Sequence, residues 1–370
     1  MIKLVDVTYY THLEYSKPEE VLQRHRLVTR YAEMLPDKMD IQFVKHAGFE
    51  GFCVGGGLQY HFFKGINKFR YLPFKANQFI SRQQPDVVLV QGLVFPLQVI
   101  LLRLQCNSNC KIIAQHHGEL PFKGIKGWCQ KLASRFVDAY LFTSAGNANI
   151  WEQKGVISKN QKVFEVLEAS TNFLAQDKCQ SRKVLNMQGR GPVFLWVGRL
   201  NANKNPLMVL KAFAQYLHFK PLARLYMIYQ TSEQLDDIKT MLSSDERLKA
   251  ATHLVGSVSH DELPQWFSAA DYYLSGSYKE GSGYALLEAM ACGCIPVVTD
   301  IPPFRKITNN GQYGYLYQPG DHLDLYKTLC SLDEPHISAE DVICYFNQNL
   351  SFDSIAEDVY AACQSIAHRP

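Results

Sequence analysis

No cysteine framework runs through this sequence. Its ten cysteines are scattered, with Cys106/Cys110 and Cys292/Cys294 as the close pairs. Neither has a matching second pair or a histidine cluster at zinc spacing, which excludes a disulfide scaffold and a zinc ribbon and suits free thiols in a reducing cytosol. Long apolar runs are missing too. The longest, residues 87–104, is interrupted by Gln91, Gly92, Pro96 and Gln98, whereas a membrane span needs about 20 largely uninterrupted apolar residues. The opening Met1-Ile2-Lys3-Leu4-Val5-Asp6-Val7 has one early charge and a short apolar stretch. That suits a first β-strand better than an export signal. Short-period repeats and low-complexity tracts are absent as well.

What remains is ordinary globular composition. The chain has 370 residues, 47% hydrophobic, 12% aromatic and 20% charged, which suits two domains of moderate size, each able to bury a core. The net charge of +3 is unevenly spread: residues 1–165 carry 21 Lys and Arg against 13 Asp and Glu, and the remainder 17 against 22. A basic first half either attracts an anionic partner (a phospholipid surface, a lipid-phosphate acceptor, a nucleic acid) or is an ordinary solvated surface. Residues 60–75 interleave bases with aromatics. They read either as a membrane-surface or lipid-acceptor patch or as a loop and helix whose aromatics pack inward. The rest of the chain gives nucleic acid no support, and none is expected as a partner.

Short apolar runs alternate with amphipathic segments. Candidate strands are 3–7, 41–44, 87–90, 111–115 and 139–143, with helices at 18–34 and 96–104. The pattern restarts with strands at 193–197, 225–229, 253–255, 272–274 and 295–299, separated by helices at 207–217, 234–242, 261–268 and 284–291. Strand–helix alternation with continuous Val/Ile/Leu strands implies parallel sheets covered on both faces. The expected fold class is therefore α/β, with two doubly wound Rossmann-like domains facing across a cleft. The expected division is 1–170 as an acceptor-side domain, 171–191 as a polar linker, 192–345 as a second domain with a nucleotide-sugar donor site, and 346–370 as a C-terminal helix packing back on the first. Ligands of open α/β sheets bind outside the carboxyl ends of the strands, so chemistry belongs just after a strand.

Two constellations sit there. Val197-Gly198-Arg199-Leu200-Asn201-Ala202-Asn203-Lys204-Asn205-Pro206 runs from a strand through a turn to a helix beginning near Pro206. Arg199 offers a planar fork for phosphate oxygens and Lys204 a mobile point charge, which together suit a diphosphate. Tyr278-Lys279-Glu280-Gly281-Ser282-Gly283-Tyr284-Ala285-Leu286-Leu287-Glu288 also runs from a strand into a helix. Gly281 and Gly283 let backbone approach a ligand, and the helix N-terminus favours an anion. Glu280 before the helix and Glu288 on it can reach different parts of one elongated ligand, and each carboxylate can accept two hydrogen bonds from a vicinal diol.

Together these residues resemble family-4 retaining glycosyltransferases of the two-Rossmann GT-B fold (glycosyl transferases group 1). Glu280 and Glu288 match the family's two glutamates with seven residues between them, and Ala289-Met290-Ala291-Cys292-Gly293 is similar to the usual continuation. So are Gly256-Ser257-Val258-Ser259-His260-Asp261-Glu262-Leu263, Ala269-Ala270-Asp271 and Pro319-Gly320-Asp321. The resemblance covers residues 193–325 well and the earlier chain weakly. It implies that Arg199 and Lys204 bind the donor diphosphate, Glu288 the ribose diol, and Glu280 with Gly281, Ser282, Gly283 and Tyr284 the transferred sugar. The strand around Val255 would lie beside the base. Gln115-His116-His117-Gly118-Glu119 is similar to a histidine-containing loop of the family, making His117 the candidate contact to donor sugar or acceptor; otherwise it is a histidine in a structural turn. Pro85-Asp86 and Val137-Asp138 look like scaffold landmarks.

The chain departs from the family pattern at Thr8-Tyr9-Tyr10-Thr11-His12, where a paired-glycine loop is usual, and at Gln230-Thr231-Ser232, where a glycine-rich turn is common.

The resemblance implies a hexosyltransferase that moves a sugar from a nucleoside-diphosphate sugar to a glycan or lipid-linked acceptor with retention. No cofactor or metal is expected, in keeping with the lack of an Asp-x-Asp triplet. A cytoplasmic location is expected, peripheral on the inner face of the membrane if the basic surface is used. A sugar-nucleotide epimerase of the same fold and a non-catalytic sugar-nucleotide-binding protein are the competing readings.

Overall fold

The computed structural model describes residues 1–65, 72–187, 189–333 and 336–367. Met1–Ser170 together with Phe352–Pro370 form one compact unit, and Thr171–Ser351 form another.

The first unit holds an eight-stranded sheet. Its strands are β1 (Ile2–His12), β2 (Met39–Ala47), β3 (Gly51–Gly55), β4 (Leu58–Lys64), β5 (Val87–Gln91), β6 (Lys111–Gln115), β7 (Ala139–Phe142) and β8 (Lys162–Glu165), in the order β3-β4-β2-β1-β5-β6-β7-β8. All neighbours pair in parallel except the β3/β4 hairpin. The order reverses between β1 and β5, which makes that gap the switch point of the sheet. β5 is buried from Val87 to Gln91, as its unbroken apolar run requires when helices cover both faces. The expected loop departure at Thr8–His12 is absorbed into β1, which continues to His12 through a register shift between Thr8 and Thr11.

The second unit holds a six-stranded parallel sheet: β9 (Val193–Gly198), β10 (Arg224–Tyr229), β11 (Thr252–Gly256), β12 (Tyr272–Ser275), β13 (Ile295–Thr299) and β14 (Tyr315–Tyr317), ordered β11-β10-β9-β12-β13-β14. Its switch point lies between β9 and β12. Trp196, Phe213, Tyr216 and Tyr273 are among its largest fully buried side chains.

One device sets the strand starts three times. Asp86, Asp138 and Asp271 each precede a strand and accept a backbone N–H from the first two residues of the neighbouring strand: Lys3 at 2.8 Å, Ile112 at 2.8 Å and Val193 at 2.8 Å. Charge-assisted bonds of this kind are stronger than neutral ones and fix register. Asp271 also pairs with Lys178 (2.9 Å) and Arg182 (2.7 Å).

That last contact revises the reading of 171–191 as linker throughout. Lys178–Val184 is a helix, capped by Asp177 accepting from the Gln180 N–H, and it belongs to the second unit. Its polar composition hides a helix because Lys178 and Arg182 point their charges at one carboxylate instead of at water. The helix Phe352–Ala367 belongs to the first unit, burying Ile355, Val359, Ala362 and Cys363, with Lys38 Nζ 2.5 Å from Glu357 Oε1. Residues 87–104 divide into β5, a loop and the helix Pro96–Gln105, and among the described residues no helix is long and apolar enough to cross a membrane. Of the aromatic and basic stretch 60–75, residues 66–71 lie outside the described residues. The rest forms the end of β4 and the start of the helix Phe74–Arg82, with Tyr60 and Phe62 buried.

Candidate active site

At the switch point of the second sheet, β9 ends at Gly198 and the chain turns through 199–205 into the helix Pro206–Phe219. Asn201 Oδ1 accepts the Lys204 N–H at 3.0 Å, and Asn205 takes a left-handed conformation (φ 46°) just before Pro206. Asparagine tolerates that conformation, and proline is pre-set for the first helical position. The Thr231 hydroxyl accepts the Leu200 N–H at 2.9 Å, so the stretch that departs from the family pattern steadies the Arg199 turn. Arg199 itself is exposed and pairs with no carboxylate among the described residues.

The loop after β12 is laced onto this turn. The Tyr278 N–H donates to Asn203 O at 2.9 Å, Asn203 Nδ2 to Lys279 O at 3.0 Å and Asn205 Nδ2 to the Tyr278 hydroxyl at 3.1 Å. At Gly276 the two backbones nearly touch: a Cβ there would lie 3.1 Å from the carbonyl oxygens of Lys204 and Asn205. The outcome is an ion pair across the switch point, Lys204 Nζ to Glu280 Oε1 at 2.5 Å, with both side chains largely shielded. Gly283, at φ 63° with Phe304 and Ile307 against its Cα, opens the helix Tyr284–Ala291. Ser282 is buried and Tyr284 partly exposed. Glu288 lies on that helix, 7% exposed, and accepts from His260 Nε2 at 3.1 Å. The Glu288 hydrogen bond is the main reason the His260 imidazole is raised above its ordinary value. His260 rests on the Phe173 ring, centroids 4.8 Å apart. Val255 is half-buried in β11, two strands from β9.

In the first unit, residues beyond β6 form a second cluster. His116 is buried, stacked on Phe142 at 4.7 Å, with Nε2 on Glu119 O at 2.9 Å. It is a structural histidine. The Glu119 carboxylate accepts the Leu93 N–H (3.1 Å) and the His117 N–H (2.6 Å), tying the loops after β5 and β6 together. His117 faces a cavity of about 270 Å³ at the β1/β5 switch point, lined among others by Thr8, His12, Lys45, Gln91 and Glu168. Gln91 Nε2 donates to Asp6 Oδ2 at 2.7 Å, which turns its Oε1 toward His117 Nε2, also at 2.7 Å. His117 Nδ1 donates to Glu168. With an acceptor within reach of each nitrogen, the protonated form of His117 is favoured. Burial works against that charge, but the charge and hydrogen bond of Glu168, with Glu119 and Asp6 behind, outweigh it and raise the imidazole. Lys45, 2% exposed, sits beneath, donating to Thr8 Oγ1 at 3.0 Å and 3.6 Å from Asp6 Oδ1.

Residues 177–341 match the family described as Glycosyl transferases group 1. They form a group 1 glycosyltransferase domain. Among curated relatives, the GDP-mannose:cellobiosyl-diphosphopolyprenol alpha-mannosyltransferase of Xanthomonas campestris is 33% identical over 235 residues, covering 61% of this chain and 59% of that one. The chain spans about half the length of the first curated relatives it matches. Over nearly the whole chain the fold is similar to the lipopolysaccharide outer core galactosyltransferase WaaB (TM-score 0.71, 16% identity, 98% and 99% covered). It is also similar to Anabaena HepE in complex with UDP and glucose (TM-score 0.66, 15% identity, 99% and 100% covered). The fold is GT-B.

Within the group 1 domain, Arg199, Lys204 and Glu280 share one sheet end and Glu288 projects from the next helix. Among the described residues no group of three or more His, Cys, Asp or Glu could hold a metal ion. Sequence reasoning missed His260 as the partner of Glu288, and Glu168, Gln91 and Asp6 as the setting of His117. His260 lay in a segment already picked out, and its distance of 28 residues from Glu288 gives no periodic signal.

Proposed function

We propose that this chain is a hexosyltransferase that moves a sugar from a nucleoside-diphosphate sugar to a glycan or lipid-linked acceptor with retention of configuration. The observation that carries the reading is the Lys204–Glu280 pair at the switch point of the second sheet. It sets a phosphate-seeking cation beside a hydroxyl-seeking carboxylate, as one sugar–diphosphate ligand requires. In this reading Lys204 and Arg199 take the diphosphate, and Glu280 with the backbone of Gly281, Ser282, Gly283 and Tyr284 takes the sugar. Glu288 takes the ribose diol, and the β11 strand at Val255 flanks the base. The bond from the sugar carbon to the diphosphate breaks with its electron pair on the phosphate oxygen. The acceptor hydroxyl adds on the same face, and its proton passes to that oxygen. The chain's contribution is positioning and stabilisation of the departing charge. His117, a donor with both nitrogens engaged, contacts a sugar hydroxyl by sharing or displacing Gln91 Oε1. The mannosyltransferase relative, named for a diphosphopolyprenol acceptor, supports a lipid-linked acceptor, reached from a cytoplasmic, membrane-peripheral position. No metal is assigned a role.

The test is a thermal-shift screen against UDP, GDP, ADP, CMP and dTDP and their sugar conjugates. A ligand at 100 times its Kd adds about 2.7 kcal/mol of stability. A selective shift with one nucleoside diphosphate is expected, followed by NMR of the product anomer. No shift with any of them overturns the reading, and an inverted anomer overturns retention.

A further inference from the structure

Glu288, the carboxylate assigned above to the ribose diol, is held from one side. Its Oε1 accepts from His260 Nε2 at 3.1 Å. Among the described residues no hydrogen bond reaches Oε2, and that atom is not sealed from solvent. The rest of the side chain is enclosed, with 9% of it exposed. A carboxylate offers about four lone-pair sites. His260 takes one of them and leaves Oε2 and the second lone pair of Oε1 to a ligand.

His260 is itself fixed at both ends. Its backbone opens the turn His260–Glu262, which a capping box closes: the Glu262 carboxylate accepts the Ser259 N–H at 2.9 Å and the Ser259 hydroxyl at 2.7 Å. Its ring rests on Phe173, and Phe173 packs in turn against the fully buried Phe267, with centroids 6.4 Å apart. The imidazole therefore stands on the core of the second unit, although more than half of its side chain is exposed. A glutamate left to itself has a broad terminal torsion. A donor held this firmly stops that rotation.

We propose that His260 is a positioning residue that makes the donor site select a ribonucleotide. By holding Oε1 it sets the Glu288 carboxylate to accept from the 2′ and 3′ hydroxyls of one ribose. The inference rests on the donor-site reading above and narrows it. The donor is a sugar conjugate of a ribonucleoside diphosphate, and dTDP, which has no 2′ hydroxyl, is a poor fit. A site whose acceptor is already set toward a hydroxyl rejects the ligand that lacks it, because the acceptor is then left unpaired. The clamp also removes the rotational freedom of Glu288 before the ligand arrives, which spares binding the cost of ordering that side chain.

Calorimetric titration of the full chain with UDP, GDP and ADP, with their 2′-deoxy counterparts and with dTDP tests this. The ribonucleotide that binds should exceed its 2′-deoxy counterpart in affinity about tenfold or more, the range of a hydrogen bond to a charged group. His260→Ala should weaken the ribonucleotide roughly 2- to 12-fold, the equivalent of ordering one side chain. It should weaken the 2′-deoxy counterpart less, so the ratio falls. His260→Gln, which keeps an N–H donor, should restore the ratio. Cooperative thermal unfolding without ligand checks that each variant is folded. Equal binding of ribonucleotide and 2′-deoxynucleotide by the wild type overturns the proposal. So does an equal loss of both in His260→Ala, which makes His260 structural only, and so does a His260→Gln variant that behaves as His260→Ala. Binding of none of these nucleotides overturns the donor-site reading itself, and this inference with it.

Discussion

Lys204 Nζ and Glu280 Oε1 stand 2.5 Å apart across the switch point of the second sheet, so the cation and carboxylate satisfy each other before a ligand arrives. In the proposed reaction, a diphosphate that drew Lys204 away would release Glu280 for sugar hydroxyls. Lys204→Ala should therefore lower turnover of the sugar nucleotide roughly 10²–10³-fold, the usual cost of removing one donor to developing charge. Glu280→Ala should lower turnover more than it weakens binding of the bare nucleotide. Steady-state kinetics beside calorimetric titration separates the two.

Gly276→Ala tests how the site is held. The new methyl would press on two backbone carbonyls of the Lys204 turn at 3.1 Å. Overpacking of this kind costs about 1–3 kcal/mol. Urea unfolding should show the loss, and nucleotide affinity should fall although no ligand contact has been removed.

Glu288→Ala should weaken nucleotide binding and release His260. The His260 imidazole is raised by that carboxylate, so the pair's contribution to stability is full below the ordinary imidazole value and is lost as pH rises through the raised one. Melting temperatures across pH 5–9 should fall over that window in the wild type, and His260→Gln should flatten the slope.

The first unit titrates in the opposite sense at three other histidines. Burial pushes His25 down to about 3 and His46 to about 4, and also lowers His12. Below an ordinary value near 6.5 the unfolded chain takes up protons that these buried rings refuse, so stability falls as pH drops from about 6.5 toward 4. His25→Phe should reduce the acid slope of urea unfolding; an unchanged slope refutes the account.

His117 supplies the contrast. Glu168→Gln removes the charge that holds its imidazole up, so its NMR titration should move to lower pH. Gln91→Leu leaves the Asp6 carboxylate and His117 Nε2 each short of a partner, at a cost of roughly 1–3 kcal/mol.

Much of this architecture was legible in the sequence, for physical reasons. Strands covered on both faces must be continuous apolar runs, so β5, β6, β9, β10, β12 and β13 announced themselves. The β3/β4 hairpin did not, because β3 is an exposed edge strand containing Gly51 and Gly55. β8, half polar, and β14, three residues long, escaped for similar reasons. The charged donor-site candidates were legible because turn and helix chemistry is local. Their partners were not: Glu168 lies 51 residues from His117 and Asp6 lies 85 from Gln91, distances that only the folded sheet closes.

The helix Phe352–Ala367 completes a unit whose other elements end before Thr171. A ribosome adding about 5–20 residues per second needs roughly ten to forty seconds to make the stretch between. Through that interval the surface around Arg30, Tyr31 and Ala32 waits uncovered for Phe352, Ile355 and Val359. The half that emerges first is thus the half that is completed last.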